Sequence, residues 1–314
     1  MPTRRQVFDG AAAVGAQAAL AVGAVAALSS CTTAPPVAPR RYAYNFRTLN
    51  GYRRDLMVCD AAGHNPKDIV QGVFGRAAWA PDGGHIAVSR GVGDDSRGTW
   101  ALWVLRSDGA LAHQITNPAV GVADLDPAFA PDGQTIAFSR DTIGFGYGQG
   151  IWLVRANGSG LHFVPGAAGG ITPGFNNNGQ AIVYAARDGI RRIPTVGGTS
   201  RQIVKAAFPW QYTQPTWSPD GKRVAFVRHD SATASSLCSV VAYGGAVTPH
   251  VSIANGIECP AWSRDSASLS YAAFDGVGQE GRHSTTVFRT IIGGTPRQAF
   301  HPAGPPATDL STWA

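Results

Sequence analysis

Residues 215–228 read PTWSPDGKRVAFVR. The stretch divides into a short run ending at Trp217, the tight turn Pro219-Asp220-Gly221 and a second run, Val224–Val227. Proline presets φ at the first turn position, and aspartate bonds back to the nearby backbone. Glycine then accepts the positive φ that strains other residues. The stretch is therefore a β-hairpin, and it is written again as AAWAPDGGHIAVSR from 77, PAFAPDGQTIAFSR from 127, PGFNNNGQAIVYAA from 173 and PAWSRDSASLSYAA from 260. The NNNG copy keeps turn chemistry without proline. The SRDS copy lacks counterparts of Pro219 and Gly221 and reads as a degenerate hairpin.

The aromatic that closes each first run is Trp79, Phe129, Phe175, Trp217 or Trp262, at steps of 50, 46, 42 and 45 residues. That period is the length of a four-stranded propeller blade and too long for ankyrin or leucine-rich repeats. A second phrase follows each hairpin: LWVLRSDGALAHQIT, IWLVRANGSGLHFVPG, IRRIPTVGGTSRQIV, LCSVVAYGGAVTPHVSI and VFRTIIGGTPRQAF. Each is a strand, a glycine turn and another strand, rich in strand-forming residues. Residues 41–71 match the last three strands of a repeat, and the final DLSTWA supplies the missing first, Trp313 aligning with Trp79. The expected fold is all-β: a six-bladed β-propeller over 41–314, its four-stranded antiparallel blades closed by pairing of the C-terminal strand with the N-terminal blade. Closure of this kind leaves no open sheet edge. The recurring aromatics are then packing residues between blades.

The first forty residues read as an address and a tether. TRRQVF is a polar twin-arginine start, Ala11–Leu28 is Ala/Gly-rich and apolar, and LSSC follows. Residues 1–30 resemble a twin-arginine export signal with a lipobox, and Cys31 is the expected lipid-modified residue. The Pro-rich residues 31–40 would be the tether. Setting aside residues 1–30, with Arg4, Arg5 and Asp9, leaves 24 basic and 19 acidic side chains. They form no basic run or stripe, so no nucleic-acid partner is expected. After Cys31 come Cys59, Cys238 and Cys259, an odd number that excludes full pairing in a monomer. Cys59 reads as a small buried residue, and a bridge between Cys238 and Cys259 stays open.

The repeat, W-S-P-D-G-x-x-I/V-A-F followed by an apolar residue, W-V and a glycine turn, resembles the TolB-type propeller repeat. The resemblance covers about residues 41–314 and implies a periplasmic, protein-binding propeller. TolB carries a separate N-terminal domain before its propeller, for which this chain leaves no room. TolB is also soluble in the periplasm, whereas this sequence resembles a lipoprotein, so TolB's own partner contacts do not transfer.

No G-x-S-x-G elbow and no Cys/His pair at zinc spacing is present. GFGYGQG at 144–150 lacks the pattern of a nucleotide loop. No catalytic residue, metal or cofactor is therefore assigned. In such a fold the PDG turns are short and uniform, while the loops at the opposite face vary, and variable loops on a rigid scaffold carry sites. The candidate binding residues there are Arg76, Asp124, Asp126, Trp210, Tyr212, Glu258 and Asp309, charges beside aromatics of the kind that anchor interfaces. Asp124 and Asp126 are hard oxygen ligands of the kind Ca²⁺ takes, but two carboxylates do not by themselves make a site. The expected function is a monomeric, lipid-anchored, non-enzymatic scaffold for an envelope protein or peptide. The alternative is a carbohydrate-binding or carbohydrate-active propeller, with Trp210 stacking on a sugar.

Overall fold

The computed structural model describes residues 25–26, 41–47, 54–60, 65–93, 98–110, 113–142, 149–206, 212–254, 256–278, 282–292, 294–300 and 308–313. Every regular element among them is a β-strand. Five successive meanders account for most of the chain. The first runs through Val73–Trp79, His85–Gly91, Trp100–Arg106 and His113–Gln114, the second through Val122–Phe129, Thr135–Thr142, Gly150–Arg155 and His162–Phe163. The third comprises Ile171–Phe175, Ala181–Ala186, Gly189–Pro194 and Arg201–Lys205. The fourth comprises Tyr212–Trp217, Arg223–His229, Ser235–Val241 and Thr248–Ile253. Ile257–Trp262, Ser268–Gly278, Arg282–Ile291 and Arg297–Phe300 form the fifth.

The first two meanders share one nine-stranded sheet through a single parallel bridge, Trp100↔Ala123, and the two-residue strand Val25–Ala26 lies at its edge. The other three are separate four-stranded sheets. A further four-stranded sheet has the order Thr308–Trp313, Arg41–Arg47, Arg54–Asp60, Lys67–Gln71, with Tyr42 opposite Trp313. Residues some 270 positions apart in sequence are thus backbone neighbours.

The core lies between sheets. One apolar cluster joins Phe129 and Phe138 of the second meander to Leu102 and Val104 of the first. Similar clusters join second to third, third to fourth, fourth to fifth, and the mixed terminal sheet to the first. The second strands are buried on both faces, Ile86, Ala87 and Val88 at 1% exposure or less. This is why IAV, IAF and VAF are continuous apolar runs without a period of two. Each marker aromatic packs towards the preceding sheet, Trp79 with Leu56 and Trp217 with Val183, for example. The indole of Trp262 also donates to the Thr216 carbonyl of its neighbour at 3.2 Å.

The hairpin turns use their side chains as expected. The Oδ1 of Asp82, Asp132, Asp220 and Asp265 each accepts an N–H two residues on, at 2.8–3.0 Å, and Asn178 does so in NNNG. The SRDS turn departs from its reading as degenerate. Ser266 takes φ +58° where the others place glycine. Its hydroxyl accepts the Asp220 N–H at 3.1 Å, and its carbonyl accepts from Arg223 at 3.0 Å. Two bonds to the neighbouring turn hold a conformation that serine alone disfavours. Likewise Gly179 lies against Pro131 and Gly221 against Asn177, so successive hairpins gather at one face, the turn end. The start of each first strand and the connections from second to third strands lie at the opposite, loop end.

Candidate functional site

Every first strand kinks midway. Its register against the second strand shifts between Phe74 and Ala78 in the first meander. Corresponding shifts fall between Ala137 and Ser139, Ile171 and Gly174, Thr213 and Thr216, and Glu258 and Ala261 in the others. The residue at the kink has positive φ: Gly75, Asp126, Thr172, Gln214 and Cys259. Proline follows the last four, a residue with no ladder N–H to lose, as suits a bulge. Positive φ at a β-branched threonine costs on the order of 1–3 kcal/mol. The side chains answer by bonding across sheets. Thr172 Oγ1 accepts the Gln214 N–H at 3.1 Å, Gln214 Oε1 accepts the Cys259 N–H, and Asp126 Oδ1 receives the Arg76 N–H at 3.4 Å. The kinks form a girdle of intersheet bonds around the inner strands.

The kink also decides the ion pairs above it. Continued without a bulge from Phe129↔Ile136 and Ala128↔Ala137, the register would set Asp124 against Asp141, carboxylate against carboxylate. The shift of one residue sets Asp124 against Arg140. Their side chains make a bidentate pair at 2.6 and 2.8 Å, Asp124 fully buried, with the Arg140 guanidinium 4.5 Å from the Trp152 ring centroid. Asp141 is left beside this pair, and burial raises its carboxyl pKa.

The candidate residues divide accordingly. Arg76 and Asp126 meet across the first and second meanders, Nε to Oδ1 3.5 Å, Arg76 buried and Asp126 partly open. Asp124 is sealed in its pair with Arg140. Glu258 is buried at the start of its inner strand. Tyr212, expected as an exposed anchor, is core: the strand starts at Tyr212 itself and turns the ring inward against Phe226, centroids 5.3 Å apart. Asp309 sits in the strand Thr308–Trp313. Trp210 and Cys31 lie outside the described residues. Among the described residues no group of three or more His, Cys, Asp or Glu could hold a metal. Arg140, Thr172, Gln214 and His229, whose Nε2 lies 2.8 Å from Thr213 Oγ1, were not singled out from sequence. The signal was present: a proline two residues before each of four marker aromatics.

A cavity of about 110 Å³ lies lower, towards the turn end, lined by Arg76, Pro127, Phe129, Pro173, Asn177 and Pro215 among others. Of the candidates whose side chains are described, only Arg76 reaches it. On the inner edge beside it, Val25–Ala26 pairs in parallel with the inner strand, Val25↔Ala78 and Ala26↔Trp79, and also neighbours the inner strands Ile257–Trp262 and Thr308–Trp313. Among the described residues Cys59, Cys238 and Cys259 are buried, and Cys238 is a free thiol, so no disulfide joins it to Cys259. Burial pushes the Cys238 thiol up to about 11, so it is not a nucleophile at neutral pH.

Residues 29–266 match the PD40 family, described as the TolB beta propeller domain. No curated protein matches the chain. Among solved structures, TolB from Acinetobacter baumannii is similar with a TM-score of 0.68 at 20% identity, over 87% of this chain and 66% of that one. The chain thus spans slightly less than two thirds of that protein. A TolB from Agrobacterium tumefaciens gives 0.61 at 17%, over 88% and 98% of the two chains. An oligogalacturonate lyase in complex with manganese gives 0.55 at 11%, over 83% and 78%. At such identities the likeness is one of fold.

Proposed function

The chain belongs to the TolB beta-propeller domain family, and from that premise we propose that it is a non-enzymatic, peptide-binding scaffold of the cell envelope. In this reading the meanders are blades, six in all with the mixed terminal sheet, and the ring closes where Thr308–Trp313 pairs with Arg41–Arg47. Residues 1–30 direct export, Cys31 carries the acyl anchor, and residues 31–40 tether a monomeric propeller to the membrane.

One observation carries the peptide reading: the inner edge at Ala78–Trp79 takes a strand of this chain's own N-terminal segment in parallel. An edge of unpaired backbone groups is a template for extended peptides, with backbone bonds supplying affinity and neighbouring side chains selectivity. Cleavage before Cys31 would remove Val25–Ala26 and open that edge. Arg76 and Asp126 then lie above it as charged selectors, with Trp210 and Asp309 contributing from the surrounding inner strands and loops. Asp124 and Tyr212 act from within, as supports. The sealed Asp124–Arg140 pair stiffens this scaffold more than it offers a ligand.

The test is a photo-crosslinking residue at Ala78 in cells, with one at Val251 on an outer strand as control. The expected result is an adduct to a second protein at position 78 alone. Equal adducts at both positions, or none at 78, would overturn the reading, and a glycan array hit lost in Trp210→Ala would favour carbohydrate instead.

A further inference from the structure

The turns joining third to fourth strands lie at the same end as the aspartate hairpins. Each closes by the same bond: Gly109 N–H to the Arg106 carbonyl, Gly158 to Arg155, Gly197 to Pro194, Gly244 to Val241 and Gly294 to Ile291. The first turn position therefore holds arginine in the first two meanders and proline, valine and isoleucine in the next three. The third position holds Asp108 and Asn157, then Val196 and Tyr243. Asp108 and Asn157 serve their turns, each Oδ1 accepting a backbone N–H at 3.0 Å. Valine and tyrosine cannot make that bond. They stand in solvent instead, Val196 at 89% exposure and Tyr243 at 76%, with Val241 at 55% and Ile291 at 65%. Within their own turns these replacements supply no capping bond.

The exposed residues follow one another along the rim. The turns of the third and fourth meanders rest on the preceding sheet, Gly197 against Pro165 just past its last strand and Gly244 against Ile203. The Arg192 guanidinium of the third meander lies 4.3 Å from the Tyr243 ring centroid of the fourth. Charge changes along the same arc. At this end the third to fifth meanders carry Arg192, Arg201, Lys222, Arg264 and Arg297 against Asp220 and Asp265. In the first two, Arg106 pairs with Asp108 at 2.8 Å and Arg155 reaches Gln134 at 3.4 Å, while Asp82 and Asp132 face solvent. The terminal sheet has the same end marked by Arg41, which pairs with Asp60.

We infer that this arc, Val196, Val241, Tyr243 and Ile291 with its basic fringe, seats the protein on an anionic phospholipid surface. Scattered exposed apolar residues are ordinary, but an apolar row rimmed by one sign of charge marks an interaction surface. Aliphatic and aromatic side chains enter the headgroup boundary while arginine and lysine meet phosphates. Arg41, where the described part of the terminal sheet begins, thus lies at the same end as the arc and not at the loop end. The arc borrows only the envelope location from the scaffold reading and does not depend on the acyl anchor.

The experiment uses the full chain with Cys31→Ser, so that no acyl group contributes. Its binding is measured to phosphatidylcholine vesicles with and without about 30% phosphatidylglycerol. The expected result is binding that requires the anionic lipid, falls about tenfold in Val196→Ser/Tyr243→Ser and is unchanged in Asp108→Ala. A tryptophan placed by Tyr243→Trp is quenched by brominated lipid beyond the parent's signal, and one placed by Asp108→Trp is not. Three results overturn the inference. The double variant binds as tightly as its parent. Neutral vesicles bind equally well. Or the same variant abolishes a concentration-dependent dimer while vesicles bind nothing. The crosslink at Ala78 is read separately, so failure of the arc leaves the channel edge in place.

Discussion

The two ends of the inner strands solve different problems with the same backbone. At the turn end, five hairpins repeat one solution: an acidic or amide side chain caps a tight turn, and each turn leans on its neighbour. At the loop end the meanders differ in their ion pairs. The second buries a bidentate Asp124–Arg140 pair, and the fourth sets Arg228 on Asp230 at 2.6 Å, with His229 on Thr213. The girdle at the kinks divides them. Uniformity below it builds the scaffold, and individuality above it adjusts what each sheet offers.

If that division is right, perturbations above the girdle should act singly and depend on charge. The largest effect is expected for Arg140→Ala, which leaves the Asp124 carboxylate buried and uncompensated, at a cost of about 3–5 kcal/mol. Urea unfolding measures it, and a loss below about 1 kcal/mol would mean that Asp124 is better solvated than its burial indicates. At the girdle itself, Thr172→Ala removes the acceptor for the buried Gln214 N–H and should cost about 1–3 kcal/mol. Thr172→Asn should recover part of that loss, because asparagine tolerates positive φ and still offers an oxygen. If asparagine proves as damaging as alanine, the kink is not where the bond matters. The smallest effect is expected from His229, whose pKa burial lowers below its ordinary 6.5. The unfolded chain then binds the extra proton first, so the stability His229 protects is complete above about pH 6.5 and drains as pH falls from there. His229→Gln should flatten that part of the stability–pH curve, and an unchanged slope would assign it to other groups.

The repeat was legible because its turns are chemical: Pro-Asp-Gly and Asn-Asn-Gly can do little else. Its failure at SRDS is instructive, since the positive φ of Ser266 is held by the neighbouring hairpin, a partner 46 residues away. The site was less legible for a related reason. Tyr212 lies beside the variable segment KAAFPWQYTQP, and composition there suggested an exposed anchor. Tyr212 is already part of the strand, opposite Arg228, and its ring turns inward against Phe226. The Asp124–Arg140 pair was hidden by arithmetic: counting outward from the turn pairs Asp124 with Asp141 until the bulge at Asp126-Pro127 moves the register by one. Four prolines announced that bulge, but the positive φ of the residues before them follows from the geometry of neighbouring sheets.

The sheet in which Arg41–Arg47 lies between Thr308–Trp313 and Arg54–Asp60 also sets a schedule. During synthesis the meanders can assemble one after another, each from neighbours already made. This sheet must wait for residues near 310 to reach residues near 42, so its contacts carry a large loop-closure cost. Until they form, the strand Arg41–Arg47 presents a bare edge, and that edge, more than any surface of the finished protein, is where a nascent chain would be open to a chaperone or to another copy of itself.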